Sequence, residues 1–307
     1  MSSNGGTLKP RVGFLGLGHM GTPMARRLLD AGYALTVFDH TTERAEQFAP
    51  GRAGVAKTPR EAAERSDVLI LMLSDDAAVR EVLLGEQGAL DGLPRGAAVI
   101  DMSTVSPEVN RSVAEEARGR GVEVIDAPVS GSVPQAEQGT LVIFAGGERA
   151  AFERCEPLLT VMGQRAFYMG PSGSGNAMKL VVNTLLGVEM QAIAEAVAFG
   201  EKAGLDRGTL LATLGQTAVI APGHKAKLEN AAQSSYPPAF ALGMMRKDFG
   251  LILGHATRLA VPMPATAASA QINETESASR EGADEDEDYS VVVRLMERMA
   301  GLQPAVR

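Results

Sequence analysis

The sequence predicts an α/β domain built on a doubly wound parallel sheet, followed by an all-α domain. Three observations predict it. Short apolar runs alternate with helical stretches through the first half of the 307 residues. Those runs have almost no polar interruption, as expected of strands covered by helices on both faces. Near Gly170 the alternation stops, and only helical segments follow.

The elements follow in order. RVGFL (11–15) reads as the first strand, and 22–31 as a helix with Pro23 in its first turn, where proline is tolerated. ALTVFD (34–39) is the second strand, and ERAEQFA (43–49) is helical. DVLILML (67–73), AAVIDMS (97–103), VEVIDAP (122–128) and LVIFAGG (141–147) continue the strand series, with helices at 76–84, 106–119 and 149–161. Strand–helix alternation at this spacing gives right-handed crossovers and a parallel sheet. The second half reads as one long helix, 176–203, then helices at 207–216, 225–233, 243–259, 263–280 and 289–301. The expected domains are therefore 10–169 and 170–304. The acidic stretch ESASREGADEDEDYS (276–290) is expected to be a solvated turn before the last helix.

Composition narrows the function. The chain is 45% hydrophobic and 21% charged, with a net charge of −8, which suits a globular protein and opposes a nucleic-acid surface. A single cysteine, Cys155, excludes an internal disulfide and points to a reducing, cytoplasmic setting. It is expected to be a buried helix residue rather than a nucleophile. Residues 180–200 are apolar but contain Asn183, Glu189, Gln191 and Glu195, so no membrane span is expected. The four histidines, His19, His40, His224 and His255, lack metal-ligand spacing, and no metal site is expected.

The first chemical motif is RVGFLGLGHMG. Gly16, Leu17, Gly18, His19, Met20 and Gly21 form G-x-G-x-x-G between the first strand and first helix. There the first glycine permits a tight turn, the second lets backbone approach a pyrophosphate, and the third lets helix pack on strand. The helix N-terminus then faces the phosphates. Asp39 ends the second strand, about 20 residues on, where an acid can bond the adenosine ribose hydroxyls. This is the pattern of a Rossmann domain. A carboxylate there favours NAD, while His40, Thr41 and Thr42 leave NADP as the alternative.

DAPVSGSVPQAEQGTL (126–141) is dense in small and turn-forming residues. Its hydroxyls and close backbone amides can hold a small carboxylate, but taken alone it reads as an ordinary loop. GPSGSGNAMKLVVN (170–183) places Lys179 and Asn183 one turn apart, on one helix face. A lysine in a partly dry cleft can have its pKa lowered toward neutrality, which suits proton transfer.

Together GFLGLGHMGTPMA (13–25), the 126–141 loop, the 170–183 segment and MRKDFGLIL (245–253) resemble the β-hydroxyacid dehydrogenases, from about Arg11 to Leu302. This family includes 3-hydroxyisobutyrate dehydrogenases, tartronate semialdehyde reductases and glyoxylate or succinic semialdehyde reductases. The resemblance implies NAD(P)-dependent interconversion of a small β-hydroxy acid and its semialdehyde. It implies that Lys179 is the acid–base and that Asn183 orients substrate and lysine. Ser130, Gly131 and Ser132 would hold the substrate carboxylate. Lys247 would lie near the nicotinamide, supported by Asp248, and Leu73, Ser74 and Thr104 would line the cofactor. It also implies a homodimer or homotetramer, in line with the surplus apolar surface of the long helix. Three positions depart from the family pattern: Ser132 and Gln135 stand where glycine is more usual, and Phe249 where leucine is. The competing readings are an imine reductase, which Lys179 opposes, and a dinucleotide-binding module without catalysis.

Overall fold

The computed structural model describes residues 9–51, 53–279 and 287–302. The chain divides into two compact units between Lys179 and Leu180. The first carries β1 (Val12–Leu15), α1 (Gly21–Asp30), β2 (Leu35–Phe38), α2 (Thr42–Glu46), β3 (Gly54–Val55), α3 (Pro59–Glu64), β4 (Val68–Leu71) and α4 (Asp76–Leu84). It continues with β5 (Ala98–Asp101), α5 (Pro107–Gly119), β6 (Glu123–Asp126), β7 (Val129–Ser130), α6 (Val133–Gln138), β8 (Leu141–Gly146), α7 (Arg149–Met162) and β9 (Gly163–Gly170).

Strand order is β3-β2-β1-β4-β5-β6-β8-β7, with β9 paired to β8. Strands β1 to β6 are parallel neighbours. Period-two alternation sends Val68 and Ile70 to one face, under α1 and α7, and Leu69 and Leu71 to the other, under α3 to α5. Both faces are therefore dry, which is why the sequence shows runs rather than alternation.

The all-parallel expectation needs one correction. β8 runs antiparallel to β6 and β7, and β9 then runs parallel to β8, so the sheet is mixed. The link from β6 to β8 holds only β7 and a six-residue helix, short for a crossover that would restore parallel direction. Strands β3, β7 and β9 and helices α3 and α6 were not among the expected elements.

Helix α8 (Ser174–Lys202) runs through the division into the second unit. There follow α9 (Arg207–Leu214), α10 (Pro222–Ala232), α11 (Leu242–Arg258), α12 (Pro264–Ala278) and α13 (Val292–Met299). The core of this unit gathers Met190, Ile193 and Val197 of α8 with Met245, Phe249 and Ile252 of α11. Gly187 fixes the crossing, because a Cβ there would lie 2.4 Å from the Phe249 ring. α8 is long and apolar enough to cross a bilayer. Its polar residues nevertheless have partners within the fold: Glu189 accepts from the Ala221 amide, and Gln191 donates to Glu195. That is the pattern of a core helix. Val181, Leu185 and Phe199 still leave apolar side chains exposed along it, and this is the surplus surface behind the homo-oligomer expectation.

The acidic stretch is not simply a solvated turn. Residues 280–286 lie outside the described residues; Ala278 and Ser279 beside them are exposed, but one acid on either side is buried. Asp288 is fully buried and pairs with Lys227 at 2.6 Å, and Glu276 is fully buried against Arg294 and Arg298. Cys155 packs in the first-unit core, and burial pushes its thiol up to about 11, so it is not poised as a nucleophile.

Candidate active site

The glycine turn has the geometry its sequence implies. Gly16 takes φ +97°, and a Cβ there would press on the Met72 carbonyl oxygen at 2.2 Å. A Cβ on Gly21 would lie 1.9 Å from the Gly16 oxygen, so α1 can approach the turn only without a side chain. Gly18 is different: a Cβ there meets no protein atom within 4 Å. Its backbone faces open space, as a pyrophosphate cradle requires. The residues present thus fit a dinucleotide.

Two expected cofactor residues are partly engaged within the protein. Asp39 is buried and accepts from the Leu17 amide at 2.7 Å and from the Thr41 amide at 2.8 Å. Its carboxylate therefore fastens the glycine turn to the end of β2, with one oxygen on each amide. Leu17 buries its side chain in the core. His19 and His40 are exposed, and Met20 is half-buried. His40 Nδ1 lies 3.4 Å from Asp39, and the Arg44 guanidinium 3.8 Å. Arg44 was not singled out from sequence, although it lies just beyond Asp39.

Leu73 and Ser74 follow β4. The Leu73 amide donates to the Ser103 hydroxyl at 2.9 Å, and the Ser74 hydroxyl donates to Asp75 at 2.7 Å. Thr104 follows β5 and is half-buried. Ser130 ends β7, and Gly131 turns with φ +132°. A Cβ on Gly131 would press on Leu141 at 2.8 Å, so glycine is required there twice over. Two of the departures from the family pattern answer each other: the Ser132 amide and hydroxyl both donate to Gln135 Oε1 at 2.9 Å.

Beneath these loops lies a buried polar network that sequence reading missed. Asp101 and Asp126 end neighbouring strands and are register partners. Asp101 accepts from the Ser103 amide and from Asn110 Nδ2, both at 3.0 Å. Asn110 Oδ1 accepts from Asn176 Nδ2 at 2.8 Å, and Asn176 Oδ1 accepts from the Val105 amide at 3.1 Å. Because a carboxylate only accepts, Asp101 sets the direction of both amides. A signal was present: V-I-D occurs twice, at 99–101 and 124–126, each time placing an acid at the end of an apolar strand.

Burial pushes the Asp101 carboxyl up to about 6, against the opposing bonds from Ser103 and with help from the Asp126 charge. Its ordinary value is 3.8. As pH falls, the folded chain binds this proton before the unfolded chain does. The contribution of the neutral group to stability is complete below the unfolded value and is lost as pH rises through about 6. Relative to Asp101→Asn, the wild type should gain about 1.4 kcal/mol per pH unit on acidification across that window. Urea denaturation of both proteins along a pH series checks this, and parallel stability curves would refute it.

In the second unit, Asn183 is buried and donates through Nδ2 to Asp248 Oδ2 at 2.5 Å. Asp248 is also buried, and its other oxygen lies 3.0 Å from Lys247 Nζ. The Asp248 carboxylate can only accept, so the NH2 of Asn183 must face it. Asn183 Oδ1 is then left buried without a hydrogen-bond partner. This orphaned acceptor sits one turn along α8 from Lys179, which is half-buried.

Among the described residues no cluster of three or more His, Cys, Asp or Glu could hold a metal. Residues 11–170 match the NAD-binding domain of 6-phosphogluconate dehydrogenase, and 173–296 match the NAD-binding domain of NADP-dependent 3-hydroxyisobutyrate dehydrogenase. The chain is 38% identical over 285 residues to glyoxylate/succinic semialdehyde reductase 1 of Arabidopsis thaliana, covering 93% of this chain and 98% of that one. It is 35% identical to 2-(hydroxymethyl)glutarate dehydrogenase of Eubacterium barkeri, covering 95% and 96%. Among solved structures, the Mycobacterium tuberculosis 3-hydroxyisobutyrate dehydrogenase with L-serine superposes with a TM-score of 0.85 at 29% identity, over 94% of this chain and 99% of that one.

Proposed function

We propose that this chain, which belongs to the β-hydroxyacid dehydrogenase family, uses Lys179 as the proton donor in reducing a small carboxylate-bearing aldehyde to its hydroxy acid. Family membership makes it an NAD(P)-dependent dehydrogenase. The observation that carries the residue assignment is the amide of Asn183. Asp248 holds it so that an acceptor oxygen is left over, one turn from a lysine on the same helix.

When bound, the nicotinamide supplies the hydride that reaches the carbonyl carbon. Lys179 gives a proton to the carbonyl oxygen as negative charge develops there, and takes it back in the oxidative direction. Asn183 Oδ1 accepts a hydrogen bond from the ammonium or from the product hydroxyl, which fixes the line of transfer. Ser130 and the Gly131 amide hold the substrate carboxylate; the Ser132 amide and hydroxyl, which both donate to Gln135 Oε1, must leave that acceptor to join them. Gln135, by accepting from the Ser132 hydroxyl, shapes that loop.

The substrates to test first are glyoxylate and succinic semialdehyde, after the Arabidopsis relative, with tartronate and methylmalonate semialdehydes beside them. NADH is the expected reductant, because Asp39 puts a buried negative charge at the ribose end of the cradle. Absorbance at 340 nm with each aldehyde and each reduced cofactor tests both points. Turnover of one aldehyde with a higher kcat/KM for NADH is the expected outcome. Silence across the panel with cofactor still binding would return the non-catalytic reading, and a higher kcat/KM with NADPH would overturn the cofactor preference.

A further inference from the structure

Helix α8 has an unusual beginning. The residue before it, Gly173, has no side chain with which to cap it, yet the first amides of a helix need acceptors. They find them across the chain, in the carboxylate of Asp126 at the end of β6. Asp126 Oδ1 accepts from the Gly173 amide at 2.7 Å, and Oδ2 accepts from the Asn176 amide at 2.9 Å. Burial pushes the Asp126 carboxyl above its ordinary value, and the Gly173, Asn176 and Gly175 amides that face it oppose this by favouring the charged form. Asp126 is fully buried.

The surrounding glycines exist to allow this seat. A Cβ on Gly175 would lie 2.3 Å from the Phe144 carbonyl oxygen and 2.6 Å from that of Asp126. One on Gly146 would lie 2.7 Å from Asp126 Oδ1. Gly173 takes φ +89°, and a Cβ there would press on Arg111 and on the Pro107 carbonyl oxygen at 2.9 Å. The helix start is thus pressed onto the ends of β6 and β8. Asn176, in the first turn, also donates to the Ser103 carbonyl at 3.3 Å and accepts from the Val105 amide. It thereby holds the backbone on both sides of Thr104.

We infer that Asp126 is the positioning residue for Lys179: by capping α8 from the sheet, it sets where the lysine stands relative to the carboxyl ends of the strands. Those strand ends are where an open α/β sheet binds its ligand. Lys179 lies less than one turn beyond Asn176, so a shift in the helix start passes directly to it. A negative charge at this terminus also offsets the helix dipole. The inference rests on reading Lys179 as the proton donor.

Asp126→Asn keeps the shape of the side chain but presents one acceptor oxygen to amides that meet both. The test is a double-mutant cycle of Asp126→Asn and Lys179→Ala, read by single-turnover reduction with enzyme in excess, with NADH affinity followed by fluorescence. Misplacing a reacting group by about 1 Å can cost on the order of 10²-fold. Asp126→Asn is therefore expected to slow reduction by about 10–10²-fold in the wild-type background. In the Lys179→Ala background it should slow reduction less than about threefold, with NADH affinity held in both. A merely structural role would slow both backgrounds equally, and that result overturns the inference. Full activity of Lys179→Ala would be a different failure, sinking the proton-donor reading and this inference with it. Should Asp126→Asn not fold, Asp126→Glu enters the same cycle; it keeps both acceptors and displaces the helix by about one methylene. If neither variant folds, the carboxylate serves the fold and the inference is wrong.

Discussion

Lys179→Ala lowers kcat by about 10²–10⁴-fold, the range that a positioned general acid supplies, while NADH binding is retained. The two effects separate because the residues responsible are separate. The cofactor turn is built from β1, α1 and Asp39: Gly16 and Gly21 leave no room for a side chain against the Met72 and Gly16 carbonyl oxygens, and the Leu17 amide donates to Asp39. None involves Lys179. The start of α8 is held by backbone amides on Asp126 and by the side chain of Asn176. Alanine is the best helix former, and removing a cation from near a helix N-terminus does not weaken the helix dipole. The variant should therefore fold with the start of α8 intact. Stopped-flow reduction and fluorescence titration of NADH, on the same preparation, check the prediction. Near-normal turnover would reject Lys179 as the acid. A loss of cofactor affinity matching the loss of rate would reject the separation of roles.

Much of this architecture is legible in the sequence, and its limits have physical causes. The strands β1, β4, β5 and β6 announce themselves because both faces are dry and the runs are nearly unbroken. β9 does not, because it lies at the sheet edge and exposes alternate residues, among them Phe167 and Met169. The direction of β8 is invisible for a different reason: strand character follows from side chains, while direction follows from the length and path of the connection. The acidic stretch misleads because burial of Asp288 and Glu276 depends on Lys227, Arg294 and Arg298, brought close only by the fold. In the site, the glycine turn, Lys179 and Asn183 are local patterns and can be read locally. Asp101, Asn110, Asp126 and Asn176 are a network across three strand–helix units. Their partnership exists only in register, although the repeated V-I-D marks both acids.

Asp248→Asn is the second substitution with a large expected effect: about a 10²-fold loss of kcat with the KM for aldehyde changed far less. What matters is which end of an amide faces which partner. Asp248 accepts and cannot donate, so it forces the NH2 of Asn183 toward itself and the oxygen away. An asparagine at 248 can donate or accept, so Asn183 loses its fixed orientation. In one of the two orientations it presents NH2 where the lysine ammonium needs an acceptor. The substitution also removes the carboxylate 3.0 Å from Lys247. Because Asp248 and Asn183 are buried, the mismatch costs stability as well, about 1–3 kcal/mol. That cost is measured separately by urea denaturation, so lost folding is not mistaken for lost chemistry. Asp248→Glu provides the contrast, since it restores an acceptor-only group and should recover part of kcat. An Asp248→Asn enzyme that keeps wild-type kcat would show that the Asn183 amide needs no such orientation. Equal losses in the Asn and Glu variants would show that packing at 248, rather than its acceptor character, is what the reaction requires.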